Sequence, residues 1–142
     1  MSIFSTILKL HQGIYEVTDG RFGHKLLGVP TLLLRTTGRK SGLERTNALI
    51  YIDDGKGNKV VVASNNGEAK SPAWLLNLKT KPSVEFQINR DFFRATAEII
   101  EKDNAEYQRL WQEHNEQNAD RYDQYQLMTM RAIPLVRLVP IQ

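Results

Sequence analysis

Short apolar runs, separated by turn-forming residues, follow one another from residue 29 onward and predict several β-strands. Residues 29–35 form an almost unbroken apolar run, which is typical of a buried strand. Residues 47–52 predict a second strand and residues 59–64 a third. The segment 53–58 between them is rich in Asp, Gly and Asn, which tolerate the positive φ angles of turns. We expect these three strands to form an antiparallel meander.

Three more strands are predicted in the second half of the chain. Residues 84–89 alternate apolar and polar positions with period two, which indicates a strand buried on one face. Residues 93–99 form its partner after a turn predicted at Arg90 and Asp91, and residues 134–141 form the last strand. Since hairpin-linked strands dominate, we expect an α+β fold around a partly closed, mainly antiparallel barrel of about six strands with flanking helices.

Apolar residues recur at helical spacing in three segments of the second half: residues 71–79, 103–117 and 120–131. Ser71 is predicted to cap the first helix, with Pro72 at its first helical position. Asp103 is predicted to cap the second helix, and Glu106 three residues later completes a capping-box pattern. The other acidic residues nearby, such as Glu98, are expected to lie on solvated faces.

One more amphipathic helix is predicted near the beginning of the sequence, at residues 2–17, where apolar residues recur at helical spacing. We assign this helix, as residues 1–18, to a single domain that covers residues 1–142. Two interpretations of the helix stay open. Either it packs against the rest of the domain, or it touches a membrane surface or a partner protein.

Composition and charge narrow the classes of site that this chain can hold. Its 142 residues suit one domain, and the absence of cysteine excludes disulfides, thiolate zinc sites, iron–sulfur clusters and a cysteine nucleophile. No apolar stretch approaches the roughly 20 residues of a membrane-spanning helix. The formal net charge of +3 suits an anionic small molecule and is too small to indicate nucleic acid. We expect a cytoplasmic protein, with membrane association through residues 1–18 as the alternative.

The segment 36–45, TTGRKSGLER, carries the strongest chemical signal. Its two glycines let backbone N–H groups approach a ligand closely. Arg39, Lys40 and Arg45 add three cations, and an arginine can grip a phosphate or carboxylate with two parallel hydrogen bonds. These are the components of an anion-binding cradle. From residue types alone, a solvated basic turn stays an equal alternative. The segment is not a Walker loop, because Leu43 follows its second glycine.

Other motifs exclude two further kinds of site. Ser64 lies at a predicted strand end, but no nucleophile-elbow pattern surrounds it, so we reject a serine hydrolase. His11, His24 and His114 are scattered and form no metal-spaced pair, so no metal site is predicted and each is expected to be structural or exposed.

Four blocks, in this order, make the chain similar to the deazaflavin-dependent nitroreductase and quinone reductase family, whose members use reduced 8-hydroxy-5-deazaflavin (coenzyme F-420). The blocks are TTGRKSG at 36–42 with Arg45, VVVAS at 60–64, SPAWLLNLKTKP at 71–82, and YDQYQ at 122–126 followed by RAIPLVRL at 131–138. One block would be a weak signal, whereas four with compatible gaps form a strong one. The resemblance implies a split β-barrel similar to the FMN-binding split barrels.

The resemblance also implies a cofactor site made of the basic turn, the strand after it, a second strand end and a helix. The cofactor phosphate and acidic tail would be bound by Arg39, Lys40, Ser41 and Arg45. The other residues along the cofactor would be Thr46, Asn47, Ala48, Leu49, Ile50, Tyr51, Val62, Ala63, Ser64, Asn65, Ala73, Trp74, Leu75, Leu76 and Asn77. Tyr122 and Tyr125 match family tyrosines on the substrate side of the ring. Ser64, Tyr122 and Tyr125 are the candidate catalytic residues, as hydrogen-bond or proton donors to the acceptor.

Two positions depart from family members that have nitroreductase activity. Asn65 stands where they have a lysine, which removes a cation from the region of the cofactor tail. Ala119 stands where they have a third tyrosine, which changes the substrate pocket. The cofactor class therefore carries over better than the substrate.

We expect an oxidoreductase that passes a hydride from reduced coenzyme F-420 to a quinone-like or nitroaromatic acceptor. The alternative is a non-catalytic module on the same fold that binds a deazaflavin, a flavin or a fatty acid, and flavin mononucleotide is the alternative cofactor. Nucleic-acid binding through Arg35 and the basic turn ranks last, because no aromatic residues are interleaved with these cations. Monomer and homodimer both stay open.

Overall fold

Six antiparallel strands close into a barrel in the computed structural model, which describes residues 29–141. The strands are β1 (Thr31–Thr37), β2 (Glu44–Asp53), β3 (Lys59–Val62), β4 (Ser83–Ile88), β5 (Asp91–Ile100) and β6 (Leu135–Pro140). Their order around the barrel is β1-β2-β3-β6-β5-β4. The pairing of β1 with β4, for example Leu34 with Phe86, closes the sheet on itself. The expected α+β barrel and its first meander are confirmed, and the barrel is closed rather than partly closed.

Three α-helices lie among the described residues: α1 (Ala73–Thr80), α2 (Tyr107–Gln117) and α3 (Arg121–Leu127). A 3-10 turn, Asn65–Gly67, follows β3. Across residues 29–141, no helix combines the length and the apolarity needed to cross a bilayer. The helix predicted at 2–17 lies outside the described residues, so its existence and its contacts stay predictions.

The barrel interior is filled by alternate residues of every strand, as the period-two geometry of strands requires. Leu32 and Leu34 of β1 lie in this interior cluster. Helix α1 joins the same cluster through Trp74, Leu75 and Leu78, all of which are buried. Burying each of these side chains stabilises the fold by roughly 1.5–3 kcal/mol. The apolar face of α1 therefore fixes this helix against the barrel interior.

A second apolar cluster joins α2 and α3 to the outer face of the sheet. Val60 and Val62, which alternate with the interior residues of β3, lie in this cluster with Leu110 and Trp111 of α2 and Tyr122 of α3. Because β3 packs on both faces, its sequence is a continuous apolar run rather than an alternating one. The two clusters divide the domain into an inner core and a layer beneath α2 and α3.

A buried arginine on β6 gathers acidic residues from three parts of the chain. Arg137 lies 3.1 Å from Asp54, 3.4 Å from Glu98 and 2.6 Å from Glu106. Burial by itself would raise the pKa of Asp54. This effect is outweighed by the hydrogen bonds that the carboxylate accepts, from Asn58 among others, and by the Arg137 charge, so the pKa of Asp54 lies below its ordinary value. The prediction that Glu98 lies on a solvated face is confirmed, since its side chain is 59% exposed. The capping box predicted at Glu106 is wrong, because the Glu106 carboxylate pairs with the buried Arg137 guanidinium, which requires opposite charge.

The first residues of α1 and α2 differ from their prediction. Pro72, not Ser71, is the N-cap of α1, since its extended ψ of 148° places the first helical residue at Ala73. Helix α2 begins at Tyr107 without an Asp103 cap. There the side-chain oxygen of Asn104 accepts the backbone N–H of Glu106 at 2.9 Å and forms a separate turn.

Helix α3 is shorter than predicted because one side chain directs the chain out of the helix. Gln126 donates to the carbonyl of Arg131 at 2.7 Å and accepts the N–H of Ile133 at 3.0 Å. These bonds stand in for a continued helical ladder, so α3 ends at Leu127 instead of residue 131. The turn between β4 and β5 was predicted at residues 90–91 and lies one residue earlier, at 89–90. There Asn89 adopts the left-handed conformation, with φ 56°.

His114, on the buried face of α2, is fully buried and bonds the backbone of β3. Its Nε2 lies 2.8 Å from the carbonyl oxygen of Val60, to which the N–H donates. The ring packs edge-on against Tyr122, with centroids 5.3 Å apart. Burial lowers the pKa of His114 to about 4. The expectation of a structural role for this histidine agrees with its position.

The lowered pKa of His114 predicts a loss of stability in acid. The folded chain resists protonation down to about pH 4, whereas the unfolded histidine takes up a proton near pH 6.5, so stability is complete above pH 6.5 and falls as the pH drops toward 4. We expect a loss of about 1.4 kcal/mol per pH unit in that window. Urea unfolding of the wild type and of His114→Gln measures it. If the free energy of unfolding changes equally with pH between pH 6.5 and pH 4 in the two proteins, the prediction is contradicted.

Candidate functional site

The basic turn is shorter than the segment 36–45 that carries the motif, because both flanking strands extend into this segment. Thr37 pairs with Glu44 in the β1–β2 ladder, so the connection consists of residues 38–43 alone. The N–H of Gly38 donates to the Leu43 carbonyl at 2.7 Å, and the N–H of Gly42 donates to the Gly38 carbonyl at 2.8 Å. Gly42 has a φ of +74°, which favours glycine. The result is a tight, internally bonded turn.

Gly38 lies where a side chain would have little room. A Cβ built there would lie 2.7 Å from the hydroxyl of Ser41 and 3.1 Å from the carbonyl oxygen of Leu43. The same hydroxyl accepts the N–H of Leu43 at 3.1 Å and lies 3.5 Å from a guanidinium nitrogen of Arg45. Ser41 therefore organises the turn from inside and places Arg45 beside it.

The buried amide of Asn77 fastens this turn to helix α1. Its oxygen accepts the backbone N–H of Arg39 at 3.1 Å and the guanidinium of Arg39 at 3.3 Å. Its nitrogen donates to the hydroxyl of Thr36 at 3.2 Å, and both side chains are buried. One amide thus joins the end of β1, the turn and the helix. This assigns Asn77 a structural contact that the sequence resemblance did not predict.

A groove of about 560 Å³ runs between the turn and helix α1. It is lined by Gly38, Arg39, Lys40, Ser41, Glu44, Arg45, Thr46, Asn47, Ala73, Trp74 and Asn77. Ala73, Trp74 and Asn77 share this face of α1, as their helical spacing allows. The beginning of the helix, with its positive dipole end, therefore lies beside the cationic turn.

The charge balance of this groove is positive. Among residues 29–141, no salt bridge involves Arg39, Lys40 or Arg45. Glu44 is the carboxylate that lines the same groove and offsets part of this charge. The cations are exposed on one side of a partly apolar channel. Such an arrangement can hold a molecule with an anionic end and a flat apolar body.

The predicted cofactor-binding residues divide into two groups. Nine of them line the groove: Arg39, Lys40, Ser41, Arg45, Thr46, Asn47, Ala73, Trp74 and Asn77. The others do not line it: Ala48, Leu49, Ile50, Tyr51, Val62, Ala63, Ser64, Asn65, Leu75 and Leu76. Tyr51, Ala63 and Leu75 instead lie in the interior cluster of the barrel. Gly38 and Glu44 line the groove without having been predicted, although the glycine was part of the motif.

The three candidate catalytic residues lie elsewhere in the described structure. Tyr122 is buried against Trp111 and His114, and burial raises its pKa above the ordinary value. Tyr125 is half-buried, with its ring edge-on to Tyr122 at 6.1 Å. Burial raises the pKa of Tyr125 as well, so both phenols keep their protons at neutral pH. Ser64 is buried where the chain leaves β3.

The two positions that depart from the nitroreductases lie in tight turns. The side-chain amide of Asn65 donates to the Lys70 carbonyl at 2.9 Å and to the Glu68 carboxylate at 3.2 Å, so it bonds within its own loop. Ala119 has a φ of 55° in the connection between α2 and α3. Neither residue lines the groove.

The fold and the groove define a class of protein: a small closed barrel with a cationic groove suited to an elongated anionic cofactor. The family model for F420H(2)-dependent quinone reductase matches residues 7–140. This chain belongs to that family. Membership confirms the expected family resemblance and coenzyme F-420 as the cofactor, and it establishes an oxidoreductase at the level of the family.

Individual relatives agree with this assignment. The chain is 45% identical over 133 residues to an F420H(2)-dependent quinone reductase of Mycobacterium tuberculosis, which covers 93% of this chain and 89% of that protein. A solved structure titled F420-H2 dependent reductase (FDR-A) has a TM-score of 0.67 and 33% identity over 77% of this chain and 93% of its own. Another, described as a domain-swapped dimer, has a TM-score of 0.69 and 30% identity, covering 94% and 98%.

The Asn77 contacts predict a stability effect that does not depend on any ligand. Replacing Asn77 with alanine leaves the Arg39 N–H and the Thr36 hydroxyl without their partner, and we expect a loss of about 1–3 kcal/mol. The exposed Thr80, which bonds Leu76 at 3.3 Å on the same helix, provides the control Thr80→Ala, with an expected change within about 0.5 kcal/mol. Urea unfolding compares them. Equal effects of the two substitutions would show that the amide does not fasten the turn.

Proposed function

We propose that this protein binds reduced coenzyme F-420 in the groove between the turn and α1 and transfers a hydride from it to a quinone-like acceptor. Family membership supports F-420-dependent quinone reduction. The observation that carries the proposed binding site is the placement of Arg39, Lys40 and Arg45, free of salt bridges to other described residues, in a groove that also contains Trp74. Nitroaromatic compounds are proposed as incidental acceptors.

The residues of this groove fit the chemistry of the cofactor. Arg39, Lys40, Ser41 and Arg45 would hold the phosphate and the acidic tail. Gly38, which has no Cβ, lets the turn that carries them close tightly on Ser41 and Leu43. Trp74, most of whose side chain is buried in the barrel interior, contributes its remaining apolar surface to the groove, and the ring system would pack beside it. When bound, reduced coenzyme F-420 supplies the hydride, and a quinone then needs one proton to become a hydroquinone.

The protein would position the bound cofactor and would provide hydrogen-bond donors to the acceptor. Asn77 keeps the turn against α1, so the anionic end of a bound molecule would be fixed relative to Trp74. Ser64 and Tyr125 are proposed as donors to the acceptor oxygen. Since burial raises the pKa of Tyr125, its phenol is a donor rather than a base at neutral pH. Tyr122 is proposed to support Tyr125 through their ring contact.

The cationic turn predicts the outcome of charge removal. Lys40→Ala and Arg45→Ala should each weaken coenzyme F-420 binding by about 1–3 kcal/mol, because each removes a charge-assisted hydrogen bond. Titration of deazaflavin fluorescence measures the dissociation constants. The matched control is Lys102→Ala, since Lys102 is exposed and lies outside the groove. Unchanged affinity in both groove variants would remove the turn from the binding site.

Turnover is tested separately from binding. Purified protein, reduced coenzyme F-420 and menadione are mixed, and loss of the reduced-cofactor absorbance is followed with flavin mononucleotide as a competing ligand. Turnover that depends on both protein and menadione supports the reductase. Tight binding without faster loss of absorbance would instead indicate a binding module, and stronger binding of flavin mononucleotide would contradict the proposed cofactor preference.

A further inference from the structure

The guanidinium of Arg131 joins the end of β3 to the loop that follows it. It donates to the carbonyl oxygens of Ala63 at 3.1 Å, Ser64 at 2.8 Å and Glu68 at 3.1 Å. A planar guanidinium can bond several acceptors at fixed angles, which a lysine ammonium on a flexible stem does not reproduce. Arg131 therefore holds residues 63–68 at both ends, like a clasp.

The clasped loop has three successive residues in the left-handed region. Asn65, Asn66 and Gly67 have φ values of 47°, 57° and 80° in succession. Asparagine adopts the left-handed region more readily than other non-glycine residues, and hydrogen bonds from the surroundings hold the turn in this conformation. Two loop hydrogen bonds, from Gly67 N–H to the Ser64 carbonyl at 2.9 Å and from Glu68 N–H to the Asn65 carbonyl at 3.1 Å, complete the turn.

The same loop packs directly on the end of α3. A Cβ at Gly67 would lie 3.0 Å from the carbonyl oxygen of Tyr125 and 3.0 Å from the sulfur of Met128. The backbone of Arg131 is itself tied to α3, because its carbonyl accepts the side-chain N–H of Gln126 at 2.7 Å. Arg131 thus bridges two elements, with Ser64 on one and Tyr125 on the other.

Arg131 brings charge as well as geometry to this place. Among residues 29–141, its guanidinium takes part in no salt bridge, and its three acceptors are neutral carbonyls. Its Nη1 is buried without a hydrogen-bond partner in the described structure. Burial accordingly lowers the pKa of Arg131 from its ordinary value. A cation kept without a carboxylate partner is costly, and such groups are often retained for function.

We propose that Arg131 is a positioning residue for the acceptor, which fixes Ser64 relative to Tyr125 and so sets the wall against which the quinone is oriented for reduction. This inference rests on the proposed function, since it takes Ser64 and Tyr125 as the acceptor side of the site. The side chain of Ala63 packs in the interior cluster with Trp74, so the clasp also relates that wall to the proposed ring surface. Arg131 acts through these residues and is not assigned contact with the reacting atoms.

The test compares Arg131→Ala and Arg131→Lys with the wild type and with Arg109→Ala. Arg109 is an exposed α2 arginine that pairs with Glu106 and Glu113, far in sequence from the clasp. We expect kcat with menadione to fall roughly ten- to a hundredfold in both Arg131 variants, because small misplacements of reacting groups have effects of that size. The dissociation constant for coenzyme F-420 should stay within about twofold, since the cationic turn is a separate site.

Two further measurements separate positioning from general destabilisation. Hydrogen exchange at the Gly67 and Glu68 amides should speed up in Arg131→Ala while that of the β1–β2 ladder stays unchanged, and added guanidinium should restore part of its kcat. Wild-type rates in Arg131→Lys would overturn the proposal, because they would show that the three-way bonding is unnecessary. Parallel losses of kcat, cofactor affinity and unfolding midpoint would overturn it too. Absence of turnover in the wild type would instead refute the proposed function, whereas the exchange result would still decide whether the clasp holds the loop.

Discussion

One buried amide determines whether the cationic turn forms a site or a solvated bend. Asn77 bonds the end of β1, the turn backbone and the Arg39 guanidinium from a helix whose apolar face lies in the barrel interior. The stability of the core is thereby transmitted to an exposed turn of six residues. Because Arg39 is oriented by the protein before any ligand arrives, an anion entering the groove loses less binding energy to ordering side chains.

The strands could be predicted from the sequence because their signals are local. Period-two alternation in 84–89 and the unbroken apolar run of 29–35 gave β4 and β1 to within two residues. Helix ends were harder, since a side chain that suits a helix cap can bond a different partner. Glu106 was assigned to a capping box but bonds Arg137, which lies 31 residues away. Closure of the barrel through β1 and β4 also depends on contacts between residues about 50 positions apart.

The functional site, like the fold, could be predicted where its signals were local and could not be predicted where they depended on three-dimensional contacts. The basic turn and the helix at Trp74 could be connected through the family motifs, and both line one groove. The roles of single residues could not be derived, because they depend on which side chain another residue meets. Asn77 was predicted to lie along the cofactor ring, but its side chain is hydrogen-bonded to the basic turn. Nothing in the sequence indicated that Arg131 bonds the loop after β3, although this residue begins the last matching segment, RAIPLVRL. The groove therefore supports the cofactor-binding assignment of the residues that line it, whereas the catalytic assignments rest on the family motifs.

Closure of the barrel has a consequence for how copies of this chain can associate. Within residues 29–141, every strand has a hydrogen-bonded neighbour on both sides, so no strand lies at an open end of the sheet. The pairing changes along a strand, since β2 pairs with β1 through Glu44–Ile50 and with β3 through Tyr51–Asp53. A second molecule therefore meets no end strand to extend, and pairing at an end strand is a common route to fibrils and to edge-paired dimers. Among the exposed side chains of residues 29–141, Leu127, Met128 and Met130 form the most apolar stretch available to a partner.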